Sequence, residues 1–208
     1  LYIMHVSAKE GADAIAEARA KGLPVQGEAL HQYLCFNSEI YKDPTGALYH
    51  THPSLKFDED RDAMWKALIN GPIATTGTDE AFVPKEIKLW GNKIDNTTGS
   101  SEGVEARMGI IYSEGVVKRG MSLKRFADVT STNAAKLLGF YPRKGAIAPG
   151  SDADITIFDP SIHKKLQLSD LHGTDYSIWE GWEIFGWPVT TILRGKVMVD
   201  KGQFYGEP

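Results

Sequence analysis

A strand, a helix and a second strand follow one another in residues 1–27, LYIMHVSAKEGADAIAEARAKGLPVQG. Leu1 to Val6 is an apolar run of the kind found in a buried parallel strand. Ala8 to Lys21 is rich in Ala, Glu, Lys and Arg, which are good helix formers. Val25 to Gly27 indicates a further short strand. Elements in this order predict parallel strands joined by a right-handed crossover.

Both ends of this first helix carry sequence signals. Ser7 precedes the helix and Glu10 comes three residues later, which is the capping-box pattern. Gly22 stands where a left-handed residue is expected after a helix, and Pro24 prevents the helix from continuing. We therefore expect Ser7 to cap the helix and Gly22 to end it.

A second helix and strand follow along the chain. Asp58 can cap a helix that runs to about Asn70, with Met64, Trp65, Leu68 and Ile69 on one face. Ile73 to Gly77 has the β-branched composition of a strand and ends at Thr78-Asp79. The long segment from Asn37 to Phe57 lies between the two units, and loops of this length in α/β regions are often functional.

The pattern changes in the second half of the chain. A helix is predicted around residues 104–116, and another from about Ser122 to Phe140 with a break near residues 130–132. After Pro142, the run Ala153 to Phe158 alternates between apolar and polar residues. Two short runs then flank Arg194-Gly195. This region is predicted to be a small antiparallel sheet.

Charge and composition exclude some classes of partner. Lys and Arg number 23 and Asp and Glu 27, which gives a formal charge of −4, and no basic run is present. Binding to nucleic acid through backbone electrostatics is therefore disfavoured. No apolar stretch approaches the about 20 residues that a membrane-spanning helix needs. The single cysteine, Cys35, fits a reducing compartment such as the cytoplasm.

Two residues occupy the positions where α/β barrels carry their catalytic groups, the C-terminal ends of parallel strands. His5 follows the run Leu1 to Met4, and Asp79 follows Ile73 to Gly77. Imidazole and carboxylate groups suit Zn²⁺ and related ions, and a carboxylate beside a metal can also move a proton. The spacing alone leaves a second interpretation open, in which His5 is a structural residue and Asp79 a turn former or helix cap.

Three further histidines and the cysteine are better explained by structural roles than by chemistry. His50 and His52 form an H-x-H arrangement, which on a strand would point both rings to one face and could chelate a metal. Their segment is predicted to be a loop, however, which favours a structural interpretation. His31 is expected to line a pocket, and Cys35 to be a buried, inert thiol.

The second half of the chain also contains a long run that is typical of one family. The run is VTSTNAAK at 129–136, then YPRKG at 141–145 and GSDAD at 150–154. Shorter matches in the same order are His5-Val6-Ser7, Gly27-Glu28 with Gln32-Tyr33-Leu34, Gly77-Thr78-Asp79, Gly103 to Met108, and Arg194-Gly195-Lys196. The chain resembles the C-terminal half of the hydantoinase and dihydropyrimidinase group of the amidohydrolase superfamily over essentially all 208 residues.

The resemblance implies an α/β fold, the C-terminal part of a (β/α)₈ TIM-type metal-dependent hydrolase barrel with part of a small β-sandwich. Leu1 to Val6 would be the sixth barrel strand, Val25 to Glu28 the seventh and Ile73 to Gly77 the eighth. Residues 1–142 would then belong to the barrel and residues 143–208 to the sandwich.

The resemblance also implies the site. His5 matches a histidine that binds one of two divalent metal ions, with zinc expected. Asp79 matches the aspartate that binds the other metal and carries the proton. Asn96 matches an asparagine whose backbone contacts the cyclic amide, and His52 stands where the family has a substrate-contacting serine. The remaining ligands, which include a carboxylated lysine, are expected outside this chain.

The implied reaction opens a cyclic amide at its C–N bond. A hydroxide that bridges the two metals attacks the ring carbonyl, and Asp79 passes the hydroxide proton to the leaving nitrogen. A hydantoin or dihydropyrimidine would give an N-carbamoyl amino acid. The implied partners are a small-molecule cyclic amide substrate and further copies of the full-length chain. These copies would form a homo-tetramer or a homo-dimer.

Departures from the family pattern leave alternatives open. Glu80-Ala81-Phe82 replaces the usual His-Cys after Asp79, and His52-Pro53-Ser54 replaces Ser-Pro-Pro. The substrate could therefore be a different amide, an imide or a carbamate. A non-catalytic, dihydropyrimidinase-like assembly protein is the other alternative, which the retained His5 and Asp79 disfavour. Because three strands cannot close an eight-stranded barrel, we expect a longer polypeptide that starts before Leu1, and an inactive, aggregation-prone product from 208 residues alone.

Overall fold

The computed structural model describes residues 1–91, 93, 95–173 and 175–206, and the chain divides into two units. The first unit comprises Leu1–Arg107 and Leu166–Trp182, and the second comprises Met108–Lys165 and Glu183–Pro208. In the part of the chain that the structure describes, we find no helix with the length and apolar character needed to cross a membrane.

A parallel sheet of three strands organises the first unit. Strands β1 (Tyr2–Ile3), β2 (Gln26–Leu30) and β3 (Ile73–Gly77) lie side by side in chain order, and both strand pairs are parallel. This arrangement confirms the prediction made from residues 1–27. The first strand is shorter than the predicted Leu1 to Val6, because the backbone turns into the left-handed region at His5, where φ is 58°.

Three helices accompany this sheet. Helix α1 (Lys9–Ala20) connects β1 to β2, the short α2 (His31–Cys35) follows β2, and α3 (Asp58–Asn70) precedes β3. The segment between α2 and α3 contains two turns of 3₁₀-helix, Ser38–Lys42 and Gly46–Tyr49. Helix α4 (Lys85–Lys88) lies beyond β3, and a 3₁₀ turn at Leu168–Asp170 lies in the later part of the unit.

The start of α1 is capped by a distant residue and not by Ser7. Ala8 is the N-cap residue and provides no side-chain hydrogen bond. Instead, the N–H group of Lys9 donates to Asp60 Oδ1 at 2.8 Å. The other carboxylate oxygen of Asp60 accepts from Phe57 N at 3.2 Å, at the start of α3. The capping prediction for Ser7 is therefore wrong, because the acceptor comes from a helix that is remote in sequence.

Helix α3 supplies much of the core of the first unit. Met64, Trp65 and Leu68 are buried, as the predicted apolar face requires. Trp65 donates from Nε1 to the Leu34 carbonyl at 2.5 Å, which ties α3 to α2. The predicted cap at Asp58 is wrong by one position, since Asp58 is the first helical residue and Phe57 is the N-cap.

The helical part of the second unit is made of short pieces. Helix α5 (Arg107–Ile111) continues into a π-helical turn at Tyr112–Val117. Helices α6 (Leu123–Ala127) and α7 (Asn133–Leu137) are separated by another π-helical turn at Asp128–Thr132. The break predicted near residues 130–132 is therefore a widened helical turn, in which Thr130 Oγ1 donates to the Phe126 carbonyl at 2.7 Å.

An antiparallel sheet of four strands completes the second unit. Its strands are β4 (Ile155–Lys165), β5 (Glu183–Leu193), β6 (Lys196–Asp200) and β7 (Gln203–Phe204), paired in that order. The turn between β5 and β6 places Arg194 at φ 50° and Gly195 at φ 80°, a two-residue hairpin geometry that suits glycine. The prediction of a small antiparallel sheet is confirmed, although β4 is longer than the predicted alternating run.

Candidate functional site

The carboxyl ends of the three parallel strands bring three titratable side chains together. His5 follows β1, Glu28 lies within β2 and Asp79 follows β3. His5 Nε2 lies 3.9 Å from Asp79 Oδ1 and 3.8 Å from Glu28 Oε1. The side chains of His5, Glu28 and Asp79 are 22%, 15% and 38% exposed. The prediction that His5 and Asp79 occupy one edge of a parallel sheet is confirmed.

Both His5 and Asp79 have a left-handed backbone. Their φ angles are 58° and 48°, which is uncommon for residues other than glycine. Such conformations persist only where the surrounding structure holds them, and they concentrate at functional sites. Here the left-handed turn ends each strand and turns the side chain toward its counterpart.

The His5 ring is oriented by a backbone carbonyl. Its Nδ1 lies 3.3 Å from the carbonyl oxygen of His52, which can only accept a hydrogen bond. An Nδ1–H group can therefore donate to this carbonyl, and the contact leaves Nε2 directed toward Asp79 and Glu28. A histidine held in this way is prepared to bind a metal through Nε2.

Glu28 is a site residue that pattern reasoning alone did not single out. The Tyr2 phenol donates to Glu28 Oε2 at 2.7 Å and also contacts Thr75 Oγ1 at 2.6 Å. These contacts leave Glu28 Oε1 directed toward His5. An acidic residue within an otherwise buried strand was the available signal, because a buried carboxylate requires hydrogen-bond partners or a cation.

The backbone of Asp79 is fixed by the loop that follows it. Ser100 also has a left-handed backbone, with φ 69°, and its hydroxyl donates to the Asp79 carbonyl. The next residue, Glu80, accepts from Gly103 N at 2.7 Å and from Val104 N. These contacts hold the main chain around Asp79 in place and do not involve the Asp79 carboxylate.

The donor set is compatible with part of a metal site. His5 Nε2 and Asp79 Oδ1 are donor atoms of the kinds that zinc prefers, and their 3.9 Å separation allows each of them to bind one of two adjacent metal ions. Among the residues that the structure describes, no group of three or more His, Cys, Asp or Glu side chains is arranged to hold a metal. His5 and Asp79 therefore fit as single ligands of two neighbouring metal ions, whose other ligands would come from elsewhere.

The H-x-H pair does not lie on a strand. His50 is buried and His52 exposed, and their rings meet edge to face with centroids 4.6 Å apart. Burial lowers the pKa of His50 to about 4, with smaller effects from His52 and Lys88. This geometry supports the structural interpretation of the pair, and His52 reaches the site through its carbonyl.

Asn96, the predicted contact to the ring, is exposed in the loop that follows α4. Its side-chain oxygen accepts from Lys93 N at 2.9 Å, and its own N–H donates to the Lys93 carbonyl at 3.1 Å. These bonds form a local turn. A role for Asn96 or His52 in substrate binding stays a prediction.

His31 is part of the core and not of an open pocket. It is fully buried and stacked on Trp179, with ring centroids 4.6 Å apart, and its Nδ1 lies 3.3 Å from the Gly77 carbonyl. Burial, with a smaller contribution from Arg107, lowers the pKa of His31 to about 3. The pocket predicted for His31 is therefore absent at that residue. Cys35 is of intermediate exposure, so it is less buried than predicted.

The sequence model of the amidohydrolase family matches residues 3–198 of this chain. That match covers far more than half of the 208 residues. The chain belongs to the amidohydrolase family.

Several hydantoinases are among the curated relatives of this amidohydrolase chain. A D-hydantoinase of Geobacillus stearothermophilus is 40% identical over 214 residues, which cover 100% of this chain and 45% of that protein. A D-phenylhydantoinase of Escherichia coli is 36% identical over 210 residues, with 100% and 46% covered. The amidohydrolase chain thus spans about half the length of the curated relatives it matches.

Solved structures agree with the sequence comparison. A D-hydantoinase crystal structure matches with a TM-score of 0.95 at 38% identity, covering 100% of this amidohydrolase chain and 46% of that chain. The dihydropyrimidinase from Brevibacillus agri matches with a TM-score of 0.94 at 38% identity, covering 98% and 45%. The predicted resemblance to the hydantoinase and dihydropyrimidinase group is confirmed.

Proposed function

We propose that the complete protein hydrolyses the C–N bond of a cyclic amide, such as a hydantoin or a dihydropyrimidine, to give an N-carbamoyl amino acid. The observation that carries this proposal is the juxtaposition of His5 Nε2 and Asp79 Oδ1 at 3.9 Å, at the carboxyl edge of parallel strands. The likeness to hydantoinases supports the choice of bond. In the complete protein, residues 1–142 would complete a (β/α)₈ barrel and residues 143–208 a β-sandwich.

The proposed cofactor is a pair of divalent metal ions, zinc by expectation. His5 would hold one ion through Nε2, and Asp79 would hold the other through its carboxylate. Such ions, when bound, lower the pKa of water and polarise a carbonyl oxygen. The further ligands, among them a carboxylated lysine, would come from the part of the protein outside this chain.

Asp79 is the proposed proton carrier. Its carboxylate takes a proton from the attacking water and delivers it to the ring nitrogen as the C–N bond breaks. The His52 carbonyl, 3.3 Å from His5 Nδ1, orients the His5 ring so that Nε2 is directed toward the proposed metal position.

The loops that follow β2 and β3 would bind the ring. His52 lies in the first of these loops and Asn96 in the second, and both loops start at the edge that carries His5 and Asp79. Because His52 is far larger than the serine of the family pattern, a different amide, an imide or a carbamate is the alternative substrate. We propose a homo-oligomer, a dimer or tetramer, located in the cytoplasm.

The decisive experiment uses the full-length protein. Bound metal is measured by elemental analysis, and hydrolysis is followed by mass spectrometry with hydantoin, dihydrouracil, succinimide and an open-chain carbamate. Ring opening that disappears with a chelator and returns with Zn²⁺ is the expected result. If the full-length protein binds metal but hydrolyses none of these substrates, the proposed reaction is wrong. If the full-length protein binds no divalent metal, the result supports the alternative of a non-catalytic, dihydropyrimidinase-like assembly protein.

A further inference from the structure

A buried ammonium group lies beside the candidate site without being part of it. The Lys88 side chain has no exposed surface, although lysine is among the residues least often buried. Its Nζ donates to the carbonyl oxygens of His50 at 2.8 Å and Thr98 at 2.7 Å, and also to that of Ser100. Among the residues that the structure describes, the partners of this charge are three backbone carbonyls, which solvate it in place of water.

These carbonyls belong to two different segments of the first unit. His50 lies in the loop between β2 and α3, whereas Thr98 and Ser100 lie in the loop after α4. Lys88 therefore fastens the two loops to each other. Removal of the ammonium would take this donor away from three carbonyls, and its bonds to those of His50 and Ser100 are buried. Buried polar groups without partners are costly.

The same two loops hold the candidate metal ligands. His52, two residues after His50, presents its carbonyl to His5 Nδ1 at 3.3 Å. Ser100, whose carbonyl contacts Lys88, donates its hydroxyl to the Asp79 carbonyl. Lys88 thus contacts Ser100, which orients Asp79, and a residue two positions before His52, which orients His5.

A close contact between the loops makes this linkage tight. A Cβ atom added at Gly99 would lie 2.2 Å from His52 Cδ2, so the His52 ring packs directly on the Gly99 main chain. Gly99 lies between the two carbonyls, of Thr98 and Ser100, that Lys88 holds. A shift of one loop would therefore displace the His52 peptide and its carbonyl.

We infer that Lys88 is a positioning residue, whose charge holds the His52 carbonyl and the Ser100 hydroxyl where they orient His5 and Asp79 for metal binding. This inference rests on the proposed function, because it assigns Lys88 to the same metal site. It makes a distinct prediction, however, since metal affinity must depend on a side chain that is neither a ligand nor in contact with substrate.

The test is Lys88→Met in the full-length, metal-stripped protein, which keeps the length of the side chain and removes its charge. Zinc affinity, measured by competition with a chromogenic chelator, is expected to fall about 10- to 100-fold, as for other residues that orient metal ligands. The visible spectrum of the Co²⁺-substituted protein is expected to change, because a reoriented ligand alters the coordination geometry.

Two matched variants separate positioning from other effects. Lys85→Met removes a charge from the exposed face of the same short helix and is expected to bind zinc like the unaltered protein. Met64→Ala creates a cavity in the core and lowers Tm, yet is expected to leave zinc affinity and the cobalt spectrum unchanged. A merely structural role for Lys88 would make Lys88→Met behave like Met64→Ala.

The outcomes are separable. If the unaltered protein binds zinc, and Lys88→Met folds and binds it with the same affinity and cobalt spectrum, the inference about Lys88 is wrong and the proposed function is untouched. If the unaltered protein binds no metal, the proposed function itself fails. If Lys88→Met does not fold, Ser100→Ala decides: it removes the hydroxyl link to Asp79 and leaves the carbonyl, and unchanged zinc affinity in this variant overturns the inference.

Discussion

His5 and Asp79 lie at the ends of two parallel strands that are not neighbours in the sheet, yet His5 Nε2 is 3.9 Å from Asp79 Oδ1. The intervening strand β2 contributes Glu28, whose Oε1 lies 3.8 Å from the same nitrogen. The left-handed backbone at both His5 and Asp79 turns the two side chains toward each other. This edge of the sheet therefore concentrates nitrogen and oxygen donors where a barrel enzyme carries out its chemistry.

Asp79→Asn in the full-length protein tests the proton carrier. The amide keeps the shape of the carboxylate but cannot take up a proton, so kcat for ring opening is expected to fall at least about 100-fold. Asp13→Asn, on the exposed side of α1, is the control and should retain full activity. An unchanged rate in Asp79→Asn would remove Asp79 from the mechanism.

Glu28→Gln tests the charge beside the proposed metal position. The Tyr2 hydroxyl can still bond to the amide, but the negative charge next to His5 is lost. Zinc affinity, measured by chelator competition, is expected to fall about 10-fold, in the range seen when groups around metal ligands are changed. Glu17→Gln, which is exposed on α1, serves as the charge-matched control. Equal zinc affinity in both variants would show that Glu28 has no influence on the site.

Asp60→Ala tests the shared helix cap. Its two carboxylate oxygens accept from Lys9 N and Phe57 N, at the starts of α1 and α3. The loss of both caps is expected to lower the free energy of unfolding by about 2 kcal/mol, about 1 kcal/mol for each cap. Urea denaturation of the full-length protein measures this change. Asp62→Ala, on the exposed side of α3, is expected to stay within about 0.5 kcal/mol of the unaltered protein.

His31→Phe tests a pH dependence of stability. Burial lowers the pKa of His31 to about 3 in the folded protein, whereas the unfolded chain takes up this proton near pH 6.5. The unfolded state therefore binds more protons below pH 6.5, and the contribution of neutral His31 is lost as the pH falls toward 3. The titration of His31 should therefore lower the free energy of unfolding of the unaltered protein by about 1.4 kcal/mol for each pH unit between pH 6.5 and pH 3.

The phenylalanine variant keeps an aromatic ring against Trp179 and removes the titration. Its free energy of unfolding, measured in urea between pH 7 and pH 4.5, is expected to decline less steeply than that of the unaltered protein. The other titrating groups, including His50, are present in both proteins and cancel in the comparison. Parallel pH profiles would show that His31 does not titrate in this way.

Local sequence patterns predicted the elements whose signals are short-range. The strand Ile73–Gly77 has the predicted bounds because its β-branched composition and its following turn are local features. Helix α3 and the left-handed Gly22, with φ 78°, were predicted for the same reason. The break in the helical region near Thr130 was also visible, although its π-helical form was not.

Predictions failed where the partner of a group lies far away in the chain. Ser7 appeared suited to cap α1, but Asp60, 51 positions from Lys9, supplies the acceptor. His31 was expected to line a pocket and is instead closed in by Trp179. The local sequence around a helix start does not show whether a residue far along the chain will supply the hydrogen-bond acceptor after folding.

The sequence by itself determined the parallel and antiparallel character of the two sheets, the family, and the identity of His5 and Asp79 as candidate ligands. Only the tertiary structure decided that Glu28 lies beside His5 and that the His52 carbonyl orients the His5 ring. It also decided that the buried Lys88 ammonium joins two loops through their backbone carbonyls. The physical reason is that hydrophobic periodicity and turn chemistry act between near neighbours, whereas the environment of a buried charge is set by segments that meet only after folding.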